Sequence, residues 1–264
     1  MKFAVTNGQR QEAQPDLSGE CPTCGCPVVA KCGEVRIWHW AHQGSRACDP
    51  WWENETEWHR TWKGQFPVSW QEVVHQADNG EKHVADVKTS QGWVLEFQHS
   101  FIDPEERRSR NSFYRKLVWI VDATRRKRDE KRFTEALSNG AQVVANLPIK
   151  RVRSDECSLL REWAGSHAPI FFDFGNEQAL SWLITGSPDG QAYVGPVSRM
   201  NFIEMHRGGG AQTSRNFDEL VKDFTELVAD YETHLRVQAL QGASLHALRG
   251  FQQYQAWNRR RRRF

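Results

Sequence analysis

The sequence predicts an α/β protein built on a mixed sheet flanked by helices, with a small metal-stapled element in front and a mostly helical α+β region behind. Three observations lead there. Paired cysteines and histidines crowd a turn-rich first fifty residues, a helix and three strand-like runs follow Glu53, and a capped helix leads into an uninterrupted apolar run, Leu117-Val118-Trp119-Ile120-Val121. The expected divisions are an N-terminal zinc-binding element at 1–50, a central domain at 51–150 and a C-terminal α+β region with a basic tail at 151–264. A chain of 264 residues exceeds the usual ~100–200 of one domain, so this division leaves room for separate cores.

The first fifty residues carry Cys21-Pro22-Thr23-Cys24-Gly25-Cys26 and His39-Trp40-Ala41-His42 around a short apolar stretch, too little to fold without a staple. From Glu53 to Phe66, Trp58 and Trp62 recur at i, i+4, as a helix requires, and Pro67 ends it. Strands are expected over Val68–His75, His83–Thr89 and Trp93–Gln98, separated by Ala77-Asp78-Asn79-Gly80 and Ser90-Gln91-Gly92. Asp103-Pro104-Glu105-Glu106 is a helix start, with Asp as cap, Pro at the first position and acids in the first turn. Beyond the apolar strand come a charged helix over 126–137, a strand over 142–147, a helix over 158–163, a strand over 170–173 and mixed structure over 180–205. A long helix over 218–240 follows Gly208-Gly209-Gly210.

Composition narrows the class. Charged residues at 26%, hydrophobic residues at 39% and 12 tryptophans are a folding composition. The net charge of +2 excludes a polycation, so basic character is local: Arg259, Arg260, Arg261, Arg262 and Arg263 form one run, read as a nucleic-acid arm. Neither a signal-like apolar segment at the start nor a run of about 18 apolar residues is present, so the expected location is cytoplasmic and no membrane partner is expected. Six cysteines then point to metal or reduced thiols before disulfides.

Cys21, Cys24, His39 and His42 supply two thiolates and two imidazoles, a set that closes a tetrahedral zinc shell, so a structural Zn²⁺ is expected. Cys26, Cys32 and Cys48 are spare thiols, and Cys48 is the best substitute if one histidine is unused. A reduced turn or a Cys21–Cys24 disulfide are the other readings.

The hairpin around Ser90-Gln91-Gly92 carries the chemistry. A three-residue loop pairs Thr89 with Trp93, Lys88 with Val94, Asp86 with Glu96 and Val84 with Gln98. Two carboxylates facing each other are unfavourable unless a cation lies between them, and hard Mg²⁺ or Mn²⁺ takes carboxylate oxygens. An ordinary solvent-facing hairpin is the alternative. Alternation puts Val87, Leu95 and Phe97 on the other face.

The order helix, strand, strand, strand, helix, strand, with Asp86 on the second strand and Glu96-Phe97-Gln98 on the third, resembles the restriction-endonuclease-like PD-(D/E)XK core, with Gln in place of Lys. Over Cys21 to Val121 the chain resembles the competence protein CoiA-like family. The matching residues are Cys21, Cys24 and His39-Trp40-Ala41-His42, then Glu55-Thr56-Glu57-Trp58-His59 with Lys63. They continue as Ala85-Asp86-Val87, Glu96-Phe97-Gln98-His99-Ser100, Arg110 with Tyr114, and Trp119-Ile120. The family itself shows Gln at the position of Gln98, whereas Trp40 and Thr56 replace its Phe and Ser.

The resemblance implies a Mg²⁺- or Mn²⁺-dependent deoxyribonuclease acting on DNA, in DNA processing, recombination or defence. Asp86 and Glu96 would hold the metal, Gln98 would orient a water, and Glu55 or Glu57 would be the acid from the first helix. His59, one turn from Glu55, can hydrogen-bond it or reach phosphate. Lys88 could supply positive charge. Arg110 and Tyr114 share a helix face and could contact the DNA backbone, or could merely cover the core. A non-catalytic DNA-binding module that kept the fold is the alternative, and the C-terminal helix could pair with a second copy or a partner protein.

Overall fold

A computed structural model describes residues 1–44, 48, 51, 55–77, 80–186, 190–208 and 216–261, with side chains to residue 241. The chain has two compact units, Met1–Glu219 and Leu220–Phe264.

The first unit holds two sheets. The smaller contains β1 (Phe3–Thr6), β2 (Gln9–Glu12), β3 (Ser18–Glu20), β4 (Pro27–Lys31) and β5 (His39–His42), in the order β2-β1-β3-β4-β5. Its apolar centre is Ala4, Ala13, Cys21, Val28 and Trp40. That is small for an independent core, as the sequence led one to expect of a metal-stapled element.

The larger sheet begins after α1 (Glu57–Lys63) with β6 (Gln71–Gln76), β7 (Lys82–Lys88) and β8 (Val94–Gln98). Then come α2 (Pro104–Phe113), β9 (Leu117–Asp122), α3 (Asp129–Asn139), β10 (Ala141–Val144), β11 (Leu147–Arg153) and α4 (Ser158–Trp163). β12 (Ile170–Asp173), β13 (Ala179–Gly186), β14 (Gln191–Ser198) and α5 (Arg199–Arg207) complete it. The nine strands lie in the order β10-β11-β14-β13-β12-β9-β8-β7-β6, so strands from both sides of residue 150 share one sheet. β8, β9 and β12 are parallel neighbours and the rest pair antiparallel, which makes the sheet mixed, as expected. Every residue of β8 and β9 is buried, the signature of strands covered on both faces.

Local chemistry sets the boundaries. Thr56 caps α1 and forms a capping box with His59, so the helix starts at Glu57 rather than Glu53; residues 52–54 lie outside the described residues. Pro67 is followed by a 3₁₀ turn over Val68–Trp70, and the strand starts only at Gln71. Asp103 caps α2, with Pro104 in its first turn as expected. The single strand expected over 142–147 is instead the turn of a hairpin, because Ala145-Asn146 forms a two-residue connection between paired Val144 and Leu147.

Two tryptophans of α1 fix that helix over the sheet. The indole N–H groups of Trp58 and Trp62 both donate to Asp173 Oδ2 at the end of β12, at 3.0 and 2.9 Å. Asp173 Oδ1 accepts from the Gly175 N–H and from Arg199, so this buried carboxylate is satisfied on both oxygens. The face of α1 that carries His59 and Lys63 is thereby fixed beside the β7–β8 hairpin.

The second unit continues α6 (Phe217–Arg261). Arg259, Arg260 and Arg261 form its last turn, and Arg262 and Arg263 lie outside the described residues. Among the described residues no helix is long and apolar enough to cross a membrane.

Candidate metal centre and acidic cleft

The Cys21–Cys26 turn is closed by Cys21 N–H to Cys26 O and Gly25 N–H to Cys21 O, both 2.9 Å, with Gly25 at φ +71. The turn brings Cys21 and Cys24 to one side, where they meet His42 from the end of β5 and Cys48. The four ligand atoms all lie within 4.8 Å of one another. Cys21 Sγ is 3.9 Å from Cys48 Sγ, and His42 Nε2 is 3.3 Å from Cys24 Sγ and 3.4 Å from Cys48 Sγ. Tetrahedral zinc with ordinary bond lengths requires edges of ~3.8 Å between sulfurs and ~3.6 Å between sulfur and nitrogen, so this donor set fits the metal. Burial, then the neighbouring Cys21 and Cys24, push the Cys48 thiol up to about 12; a bound cation would reverse this by favouring thiolates.

His39 is not in the cluster. His39-Trp40-Ala41-His42 is a strand, and an odd separation in a strand puts two side chains on opposite faces. His39 Nδ1 contacts Ile37 O at 2.9 Å, and Cys48 takes the fourth corner. The sequence marked Cys48 as the substitute, and the strand periodicity of β5 was the signal that would have selected it.

Next to this cluster lies a cavity of about 150 Å³, lined by His39, His42 and Cys48 on one side and by Glu55, His59, Lys63, Glu72, Asp86 and Glu96 on the other. The β7–β8 ladder follows the expected register, with Lys88 opposite Val94 and Val87 opposite Leu95. Regular pairing ends there. Asp86 instead accepts the Phe97 N–H through Oδ2 at 3.0 Å, which turns its carboxylate toward the cavity.

The carboxylates do not simply repel one another, because each has a cation. Lys63 Nζ is 2.7 Å from Glu55 Oε1, 3.0 Å from Glu72 Oε1 and 3.8 Å from Asp86 Oδ1. Burial alone would drive off the Lys63 proton, but Glu72, Asp86 and Glu55 outweigh it and raise its pKa, so it remains an ammonium. Glu55, raised by burial but lowered more by Lys63 and Arg60, stays ionised. For Asp86 burial wins over Lys63 and His59, and its pKa is raised. Glu96 meets Arg110 Nη1 at 2.9 Å.

Glu72 was not singled out in the sequence. It sits in β6 with φ +47, an uncommon conformation for a residue with a side chain, and its carboxylate accepts Lys2 N–H at 2.7 Å and Phe3 N–H at 3.1 Å. It thus ties β1 of the small sheet to Lys63. Burial opposes ionisation, but Lys63, the terminal amine and the Lys2 N–H hold Glu72 down at about 2. An acid inside an alternating strand gives no hint of such a turn.

The other expected site residues fall as follows. His59 lines the cavity, with its Nδ1 at 2.9 Å from Thr56 Oγ1. Gln98 is buried and its Nε2 donates to Ser100 O at 3.2 Å. Glu57 lies on the solvent side of α1, so Glu55 is the acid the structure brings to the cleft. Arg110 and Tyr114 are buried rather than displayed for DNA. The Arg110 guanidinium is engaged by Glu96, Glu106 and the Trp51 carbonyl, and it lies over the Trp51 and Trp119 rings at 5.4 and 5.6 Å.

Fold and site define a mixed α/β protein with an N-terminal Cys/His cluster that could hold a metal ion. Residues 9–50 match the family described as Competence protein CoiA, N-terminal domain, and this match supports a place for the chain in the CoiA-like family. It covers the small sheet from β2 onward and all four residues of the metal cluster. No curated protein and no solved structure matches the chain.

Proposed function

We propose that this protein is a Mg²⁺- or Mn²⁺-dependent deoxyribonuclease with a PD-(D/E)XK-type core, whose working residues are Asp86, Glu96 and Lys63. The observation that carries the reading is the cleft itself. A hairpin acid held by a backbone N–H, a second acid ten residues on and a buried ammonium share one cavity beside the metal cluster.

The acids suit a hard cation in kind, and Asp86 turns a partly exposed carboxylate to the cavity. Among the described residues no three carboxylates converge as the Cys/His cluster does. Mg²⁺ is commonly held by one or two carboxylates together with a substrate phosphate, so Asp86 and Glu96 would hold it once DNA is present. Such a metal neutralises the phosphate and makes its water more acidic. The chain's own part is positioning. Lys63 offers the positive charge that Gln98 lacks, from α1 rather than β8, and Arg110 holds Glu96 in place. Gln98, an amide, can orient a water but takes no proton from it at neutral pH.

The alternative of a DNA-binding module without catalysis draws on the same ion pairs, since Lys63 and Arg110 already neutralise acids that a metal would use. One assay separates the two: circular and linear, single- and double-stranded DNA with Mn²⁺, for wild type, Asp86→Asn, Glu96→Gln and Lys63→Met. Cleavage by wild type that falls at least about 100-fold in Asp86→Asn supports the nuclease. Equal rates in wild type, Asp86→Asn and Glu96→Gln end it.

A further inference from the structure

A second crevice opens at the carboxyl ends of the parallel strands β8 and β9, where ligands of open α/β sheets commonly bind. Its volume, about 90 Å³, is far below the ~300 Å³ of an ordinary small-molecule pocket and suits one anionic group. His99 and Asp122, the residues that follow and end these strands, stand in it, with Nδ1 of His99 2.7 Å from Asp122 Oδ2. Asp122 is buried, and its other oxygen accepts the Thr124 N–H and hydroxyl at 2.9 and 2.6 Å. A carboxylate only accepts, so Nδ1 carries a proton, and Nε2 is the nitrogen left for a ligand; in the imidazolium form, where both nitrogens carry protons, it donates to an anionic oxygen. That nitrogen has no partner among the described residues, and the His99 side chain is 34% exposed.

The charges around it are unequally committed. Arg126 is held by Asp129 and Glu162, which neutralise it. Arg125, in the same crevice, makes no ion pair among the described residues, and Lys127 and Arg128 beside it make none either. Phe101, at the crevice, is 65% exposed, as a stacking platform would be. The crevice adjoins the acidic cleft through two imidazoles, since the His59 and His99 rings are 6.0 Å apart.

We propose that this crevice is a subsite for a backbone phosphate of a nucleic-acid strand, gripped by His99 and Arg125, with the adjoining base on Phe101. It rests on the reading of nucleic acid as the ligand, and it places the strand across His99 toward Asp86. Sequence-independent phosphate contacts of this kind position a strand without reading it.

The test is binding of a fluorescein-labelled 12-nucleotide DNA strand with no Mg²⁺ or Mn²⁺ added, so that no cleavage intervenes and the Cys/His cluster keeps its zinc, with wild type, His99→Gln, Arg125→Gln and Phe101→Ala. Arg125→Gln alters an exposed loop residue and keeps the fold intact for comparison. His99→Gln and Arg125→Gln should each weaken binding about 5- to 10-fold, and Arg125→Gln should flatten the salt dependence by about 0.7, one phosphate contact on a single strand. Wild type that binds and cleaves DNA while both variants bind it unchanged overturns the subsite and leaves the nuclease standing. Binding that depends on His99 and Arg125 in a protein that never cleaves does the reverse. Thymidine monophosphate displacing the strand at equal concentration would also overturn the proposal, since the crevice would then take a free nucleotide.

Discussion

Lys63 Nζ stands 3.8 Å from Asp86 Oδ1 while holding Glu55 and Glu72 more closely, so the cation of the cleft comes from a helix and not from the strand that bears Glu96. This relationship orders much of what can be measured. An ammonium this enclosed is retained only because its acids surround it, and Lys63 is in turn the largest influence keeping Glu55 and Glu72 ionised against burial.

Lys63→Met should therefore strand Glu55 and Glu72 as buried charges and destabilise the protein by about 3–5 kcal/mol. Lys63→Met combined with Glu72→Gln should recover part of that loss, because fewer charges are left unpaired. Urea unfolding of the single and double variants measures both. Additive losses in the double variant would show that the two side chains are not coupled.

Acid should unfold the protein through Glu72. Its pKa is depressed, from 4.5 to about 2, so the stabilisation is full above the unfolded value and is lost as pH falls from about 4.5 toward 2. A depression of this size corresponds to roughly 3 kcal/mol. Glu72→Gln should be less stable at neutral pH and should lose less stability than wild type between pH 5 and 2.5. Parallel pH curves for the two proteins would contradict the pairing.

The metal cluster makes a selective claim. Cys48→Ser should lose zinc, as should Cys24→Ser, whereas His39→Ala should keep about one zinc per chain. Metal content after gel filtration decides it, with protease sensitivity of residues 1–50 as a second readout, because binding here is folding energy. Full zinc in Cys48→Ser, or its loss in His39→Ala, would return His39 to the shell.

Short-range chemistry was what the sequence made legible. The Asp103-Pro104 cap, the register through Lys88 and Val94, and three of the four members of the Cys/His cluster all follow from short spacings along the chain. His39 was misplaced because an x2 spacing says nothing until β5 is known to be a strand. Glu72 and the centring of Lys63 were hidden for a different reason. They depend on a backbone turned to positive φ and on β1 arriving from seventy residues away. The continuation of the sheet past residue 150 likewise rests on β12 lying beside β9, a pairing that no local pattern announces.

Arg110 gives the last prediction, because its sequence context suggested DNA and its surroundings say otherwise. Its guanidinium meets Glu96 and Glu106, donates to the Trp51 carbonyl and lies over two indoles, an arrangement that uses the planar fork. Lysine cannot reproduce several directed bonds and two ring contacts from one ammonium. Arg110→Lys should cost about 2–4 kcal/mol in unfolding free energy, within the range for disturbing a buried pair. A surface phosphate contact predicts the opposite pattern, with little loss of stability and a salt slope of DNA binding lower by about 0.7–0.9. With Arg110 buried, the slope should stay at the wild-type value while the unfolding midpoint falls. A stable Arg110→Lys variant with a flattened slope would put this arginine back on the DNA.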